Sequence, residues 1–453
     1  MFMRVTITTD NAQYLDQNLL GKLNKLLSPF VGICQEIGYM KRSSSDPFLI
    51  TLGAELTGLH TVLNRPNPGR GGYHIGGVGY FHNEAMIKAV AESLERYSQL
   101  LSEATLKGVH PREFLSYEEM KIKYSNIIDE KCLNFFLPDQ FKKIGFPYKK
   151  FDANSPITWV EITALDQSSK TWIPAQLLFV GYNCLIPDEP WLSSAVTTGT
   201  AAHCTREKAI LSAISELIQI DAAMGHWYTN SEAILLTLDE RVKHFLSFLN
   251  KVMNPYTMSK PHFYLLESKR LPGFNIACVF KKNKESIPRF AVGLGSDCCL
   301  EKALYKSFLE GYGVVGLARL NVFKEKNQSP KNLENFYDLD SNVAAYAKGS
   351  QEAFFEKKFP LKKGVKTSKL TPDWTFETEE RTIYEYTQVF KRNNMDLYYT
   401  DLTSPEAKEV GFNVARIWSP HTISLCLPSA VQKNHSRFKD YGGVTYDAPH
   451  PYP

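Results

Sequence analysis

Three stretches of the chain repeat one arrangement of apolar, small and acidic positions. They are residues 77–98 (GVGYFHNEAMIKAVAESLERYS), 199–222 (GTAAHCTREKAILSAISELIQIDA) and 293–313 (GLGSDCCLEKALYKSFLEGYG). Aligned on Ala85, Ala209 and Ala303, each carries a small residue four places on (Ala89, Ala213, Ser307) and a glutamate seven places on (Glu92, Glu216, Glu310). Offsets of four and seven share one helical face, so each stretch predicts a helix whose small-residue stripe ends in a carboxylate. A glycine-bearing run before each suits a strand end and a turn. Asn83, Thr205 and Ser296 or Asp297 are the predicted helix starts.

Elsewhere the pattern predicts a strand over 3–9, a leucine-faced helix over 12–28, and strands over 29–40 and 47–56. A loop rich in glycine and proline then runs to the first repeat, and its Arg65 and Arg70 are candidates to reach phosphate, although a loop arginine more often meets only water. Residues 112–150 read as an irregular helical excursion, and 157–182 as two strands around a turn at Asp166–Lys170. Residues 231–252 predict an amphipathic helix, followed by strands HFYLLES, FNIACVFKKN and RFAVGLGS. Near the end come a helix over 379–391 and the strands DLYYTDLT and NVARIWSP. The lysine-rich, proline-punctuated stretch 325–375 reads as a solvated surface insertion, with a partner-docking surface as the functional alternative. No low-complexity linker divides the chain, so a single composite domain of mixed α/β class is predicted.

Composition narrows the chemistry. A net charge of +4 over 453 residues is too slight to imply nucleic-acid binding. The eight cysteines form no CxxC pair, so no zinc site is indicated. No signal peptide or membrane span is present in the sequence, and free thiols fit a reducing cytoplasm. Gly311 to Gly316 match GxGxxG, but they follow a predicted helix where a dinucleotide fingerprint should follow a strand, and they read as a helix terminus with chance spacing. Cys298-Cys299 and His203-Cys204 read as packing residues because no Cys/His couple accompanies them. A carboxylate on an apolar stripe is costly to bury without a cation. Three in equivalent positions point to a shared divalent metal, and magnesium on nucleotide phosphates takes such oxygen ligands. The competing reading is a helix-packing repeat whose glutamates meet solvent or arginine.

Two further features carry a resemblance. AESLERYS (Glu92, Glu95, Arg96) resembles the SxxxExxER motif of the YcaO family, and Pro449-His-Pro451-Tyr-Pro453 matches the PxPxP terminus of its azoline-forming cyclodehydratases. The second and third repeats look like the family's further nucleotide-binding segments. The resemblance implies a YcaO fold over 28–453, with 1–27 as an N-terminal strand and helix extension. It implies an ATP-dependent enzyme in which a Cys, Ser or Thr side chain of a ribosomal precursor peptide attacks the preceding amide. Phosphorylation of the amide-derived oxygen then allows a thiazoline or oxazoline to form. Carried over, Glu92, Glu216 and Glu310 are the metal ligands. Glu95, Arg96, Gln219 and Arg70 join them in holding ATP and Mg2+, and Arg96 with Pro449, Pro451 and Pro453 forms the catalytic set. The stiff tail would carry the Pro453 α-carboxylate toward the nucleotide, as a general base or as a device that orders the site.

Departures from the family pattern are Lys88 for the motif's serine, Val78 for a lysine, and Cys204, Lys208 and Gln219 in the second segment. No E1-like domain is fused at the front, which implies a separate E1-like leader-peptide-binding subunit. The resemblance also brings an FMN-dependent dehydrogenase and a homodimer into view. Two rival readings are a thioamide- or amidine-forming YcaO enzyme, and a non-catalytic scaffold of a peptide-modification complex, which Lys88, Val78 and Lys208 would favour.

Overall fold

A computed structural model describes residues 21, 25–28, 32–64, 73–105, 110–182, 189–254, 256, 260–325 and 336–453. The predicted strand over 3–9, most of the helix over 12–28, and both Arg65 and Arg70 lie outside these residues.

Strands β1 (Cys34–Tyr39), β2 (Ile50–Leu56) and β3 (Ile75–Gly79) pair antiparallel in that order. Next come β4 (Arg112–Leu115), β5 (Ile157–Ala164), β6 (Lys170–Pro174) and β7 (Thr200–His203). A separate sheet takes β8 (Ala233–Thr237), β9 (His262–Leu266), β10 (Phe274–Lys281), β11 (Phe290–Asp297) and β12 (Val365–Lys366), in the order β11-β10-β9-β8-β12. Strands β13 (Tyr398–Asp401) and β14 (Asn413–Trp418) return to the second sheet, ordered β4-β5-β13-β14-β7 with β6 on β5.

Five helices matter for the site: α1 (His82–Thr105), α2 (Arg206–Tyr228), α3 (Leu300–Glu325), α4 (Leu339–Ala347) and α5 (Glu379–Arg392). Each of the first three follows a strand directly, as the repeats predict: β3 leads to α1, β7 to α2 and β11 to α3. Each also packs on a strand of another repeat, α1 on β7, α2 on β11 and α3 on β3. The three strand–helix units therefore close on one another in a ring, and the far ends of their small-residue stripes turn toward a common centre.

The small stripe has a steric cause. A Cβ on Gly77 would stand 2.1 Å from the Ala85 carbonyl oxygen and 2.6 Å from the Ala89 nitrogen. On Gly295 it would stand 2.3 Å from the Ser307 nitrogen and 2.6 Å from the Ala303 oxygen. Strand and helix backbones touch, so neither side has room for a larger residue. Gly77→Ala is expected to cost about 1–3 kcal/mol, as overpacking of a filled interior does. A urea midpoint equal to that of the unaltered protein would contradict the packing.

Several expectations change. The amphipathic helix expected within 231–252 is present at Lys243–Val252, and β8 precedes it, because Ala233–Leu235 pair with β9. Helix α1 starts at His82, which leaves Asn83 inside its first turn, whereas Thr205 caps α2 by accepting from the Lys208 amide. Helix α3 begins at Leu300, with Asp297 accepting from Cys299 N and Asp373 from Leu300 N. The GxGxxG run lies in the interior of α3, not at its end. There Gly311 lets the helix approach β11, where a Cβ on Gly293 would meet the Gly311 nitrogen at 1.8 Å.

Within 325–375, most of 361–375 is exposed, whereas Ser341–Ala347 of α4 are buried and α4 packs on α3. The lysine-rich flanks suggested a solvated insertion, but the apolar run VAAYA between them belongs to the core.

Candidate functional site

Glu92 and Arg96 lie one turn apart on α1, and Arg96 bridges to Glu92 and to Glu95 at 3.1 Å each. The second Glu92 oxygen accepts from Gly76 N at 3.0 Å, which ties the carboxylate to the start of β3. Glu95 faces the backbone of Ala202 on β7. Around Arg96 the charges of Glu95, Glu92, Glu216 and Glu310 converge. Burial works against its guanidinium, yet these four together raise its pKa. Three helices thus deliver four carboxylates to one place.

The acids are crowded. Burial pushes Glu95 up to about 7, with Arg96 opposing and Glu92 adding repulsion. Glu310 rises to about 7 through burial and then Glu92. Glu92 is raised, and Glu216 well raised, by the same loss of water. Their side chains still keep solvent access, Glu310 most of all, as groups lining a recessed opening do.

One more cation was not singled out from sequence. Arg416 on β14 is buried and donates to Val196 O and Thr198 O at 2.7 Å and to Thr200 Oγ1 at 3.0 Å. Burial lowers it to about 10, against the pull of Glu216 and Glu95. Its Nε is buried without a hydrogen-bond partner among the described residues. The signal available was a lone arginine inside the apolar strand NVARIW.

Four carboxylates against Arg96 and Arg416 leave an excess of negative charge, so the residues present fit a divalent cation. Among the described residues no group of three or more His, Cys, Asp or Glu is gathered tightly enough to hold a metal alone. A magnesium ion held here would complete its shell with waters and phosphates.

The remaining predicted residues fall as follows. Gln219 lies on α2, half-buried, three places beyond Glu216. Lys88 donates to Val78 O at 3.0 Å and to Glu84 at 2.7 Å, and its charge also acts on Glu310. Lys208 is exposed near the start of α2, with Glu379 at 3.9 Å. Cys298 is held by the Tyr386 hydroxyl, and burial pushes its thiol to about 11, which disfavours a nucleophile.

The PxPxP tail is seated in the protein. Trp227 on α2 donates to Ala448 O at 2.8 Å and Tyr346 on α4 to Pro449 O at 2.6 Å. Asn342 donates to His450 O at 2.7 Å and Tyr452 O at 2.9 Å. The tail therefore runs antiparallel to α4, toward its N-terminal end. There Asp340 meets His74 at 2.8 Å, and His74 is close enough to lower the Glu92 carboxyl.

His450 is fully buried, and burial lowers it to about 4. Its Nε2 donates to Cys426 O at 2.7 Å, the pattern of a neutral imidazole. A histidine held below its ordinary value contributes stability above about pH 6.5, and that contribution fades as pH falls toward 4. Acid should therefore loosen the tail seat over that window. Unfolding midpoints at pH 7 and pH 5 should separate for the unaltered protein more than for His450→Gln, and equal separations would contradict this.

A family model described as YcaO cyclodehydratase, ATP- and Mg2+-binding, matches residues 76–423. The chain belongs to this YcaO family. A comparison with curated proteins finds no match. Among solved structures, the chain is similar to a heterocyclase in complex with substrate and cofactor, with TM-score 0.69 and 17% identity over 96% of this chain and 57% of that one. It is also similar to a YcaO protein from Methanopyrus kandleri bound with AMPPCP and Mg2+, with TM-score 0.60 and 16% identity over 90% of each chain. An E. coli microcin synthetase McbBCD complex gives TM-score 0.57 and 14% identity over 92% of this chain and 96% of that one. The chain spans little more than half the length of the heterocyclase it matches.

Proposed function

We propose that the chain is an ATP-dependent cyclodehydratase that converts Cys, Ser or Thr of a ribosomal precursor peptide to thiazoline or oxazoline. The observation that carries this reading is the convergence of Glu92, Glu95, Glu216 and Glu310 on Arg96, in a chain whose PxPxP tail is held by Asn342, Tyr346 and Trp227. Glu92, Glu216 and Glu310 would hold magnesium, with Glu95 and Gln219 beside them on the nucleotide. When bound, magnesium and ATP supply the phosphoryl group that makes an amide oxygen a good leaving group.

The residues of the chain account for the rest. Arg96 lies where negative charge would develop on transfer and is held by two carboxylates, so it needs no reorganisation. In this reading the Pro453 carboxylate would accept a proton from the attacking side chain.

The substrate-bound heterocyclase and the multi-subunit microcin synthetase complex support a peptide substrate and partner subunits; a leader-binding subunit, bacteriocin maturation and a cytoplasmic location belong to the same reading. A flavin dehydrogenase and a homodimer extend the same reading. No helix among the described residues is long and apolar enough to cross a membrane.

Mass spectrometry on precursor peptide, with ATP and with or without the partner, tests the proposal. Loss of one water per modified residue, weak or absent without the partner, is expected. Exchange of oxygen for sulfur would instead support the thioamide reading, and full turnover without the partner would contradict the assigned division of labour.

A further inference from the structure

Helix α4 belongs to the stretch that composition marks as dispensable surface, yet it makes the most regular contact with the chain end. Asn342 is fully buried, and its Nδ2 spans the alternate carbonyls of His450 and Tyr452 at 2.7 and 2.9 Å. The same nitrogen lies 3.5 Å from His450 Nδ1, the acceptor side of that neutral ring. One turn away, Tyr346 holds Pro449 O at 2.6 Å. Prolines at 449, 451 and 453 have no backbone N–H, so this segment cannot add a full strand to a sheet. Helix α4 supplies donors to three of the segment's carbonyls, those of Pro449, His450 and Tyr452.

Trp227 to Ala448 O, Tyr346 to Pro449 O and His450 Nε2 to Cys426 O each fix one point of the tail, and ring contacts alone would leave the part beyond His450 free to slide. A carboxamide bridging two carbonyls does impose a register. A slip by one residue would face Asn342 with the wrong carbonyls and bury unpaired groups, at the cost such groups carry.

We propose that Asn342 is a positioning residue: its side chain sets how far the PxPxP tail extends toward Glu92, and so where the terminal carboxylate stands during ring closure. This rests on the cyclodehydratase reading for its consequence in catalysis, but not for its consequence in the tail itself. Asn342 touches neither peptide nor nucleotide. Its loss should lower kcat while sparing both the KM for the precursor and the affinity for a magnesium-loaded ATP analogue.

The test uses full-length protein with its partner subunit, comparing Asn342→Ala, Asn342→Asp and Asn342→Gln. Alanine and aspartate remove the donor, and each should lower kcat roughly 10- to 100-fold, less than the roughly 10²–10⁴-fold that a positioned acid–base group contributes, because the tail is displaced and not removed. Glutamine keeps the donor and should recover part of the loss. Hydrogen exchange over residues 444–453 should quicken in the first two variants, with protection of α1 and α2 unchanged. Tyr346→Phe, which deletes one hydroxyl, serves where a substitution at 342 prevents folding, and should show the same selective loss on a smaller scale. Unchanged kcat, a loss carried by KM or nucleotide affinity, or a tail exchanging no faster would overturn the proposal. If the unaltered protein forms no rings at all, the cyclodehydratase reading fails, and the exchange measurement still decides whether Asn342 fixes the tail.

Discussion

Glu216→Ala should abolish magnesium-dependent nucleotide binding, with turnover falling at least about 100-fold, the range seen when one preorganised electrostatic contact to a transition state is removed. Glu216 is the contribution of α2, and without it the metal would be held by carboxylates of α1 and α3 alone. Glu92→Ala should be equally severe for a second reason. Arg96 would lose one of two partners held at 3.1 Å, and the Gly76 amide would lose its acceptor. Removing one member of a buried charge pair leaves the other uncompensated, typically at about 3–5 kcal/mol. Glu92→Gln separates the effects, since it keeps an acceptor for Gly76 while removing the charge. Isothermal titration with a magnesium-loaded ATP analogue reads them directly. Unchanged binding in both alanine variants would defeat the site assignment and favour the scaffold reading.

Removing residues 449–453 should have the other large effect: ring formation stops while nucleotide binding persists. The seat is also structural. Tyr452 is nearly fully buried against Trp227, and Tyr452→Ala should destabilise by about 3–5 kcal/mol, as other aromatic-to-alanine changes in cores do. Tyr452→Phe offers a sharp contrast. The Tyr452 hydroxyl is buried without a partner among the described residues, so its deletion should be neutral or stabilising. Denaturant midpoints for the two variants decide this. A large loss on Tyr452→Phe would mean that the hydroxyl meets a group in the working enzyme.

The frame of the site was legible because its cause is local. Glycine opposite alanine at Gly77 and Ala85, or Gly295 and Ser307, is the mark of two backbones in contact, and it survives in the sequence as spacing. The acids stood out for the same reason, at fixed offsets from those small residues. Arg416 was not legible, because what makes it a site residue is the pairing of β14 with β7, a contact between residues more than two hundred apart. Asn342 was hidden by composition. Lysines and prolines on both sides outweighed a short apolar run whose burial depends on α3 and the chain end.

The central claim is that glutamates from three helices grip one metal-laden nucleotide beside the chain end. A crystal structure with an ATP analogue and Mn2+ replacing Mg2+ tests it most directly, since anomalous scattering locates the metal. The account predicts a manganese peak bonded to carboxylate oxygens from at least two of Glu92, Glu216 and Glu310, with the Pro453 carboxylate facing the same opening. A nucleotide bound elsewhere, or manganese with none of these oxygens in its shell, would contradict it.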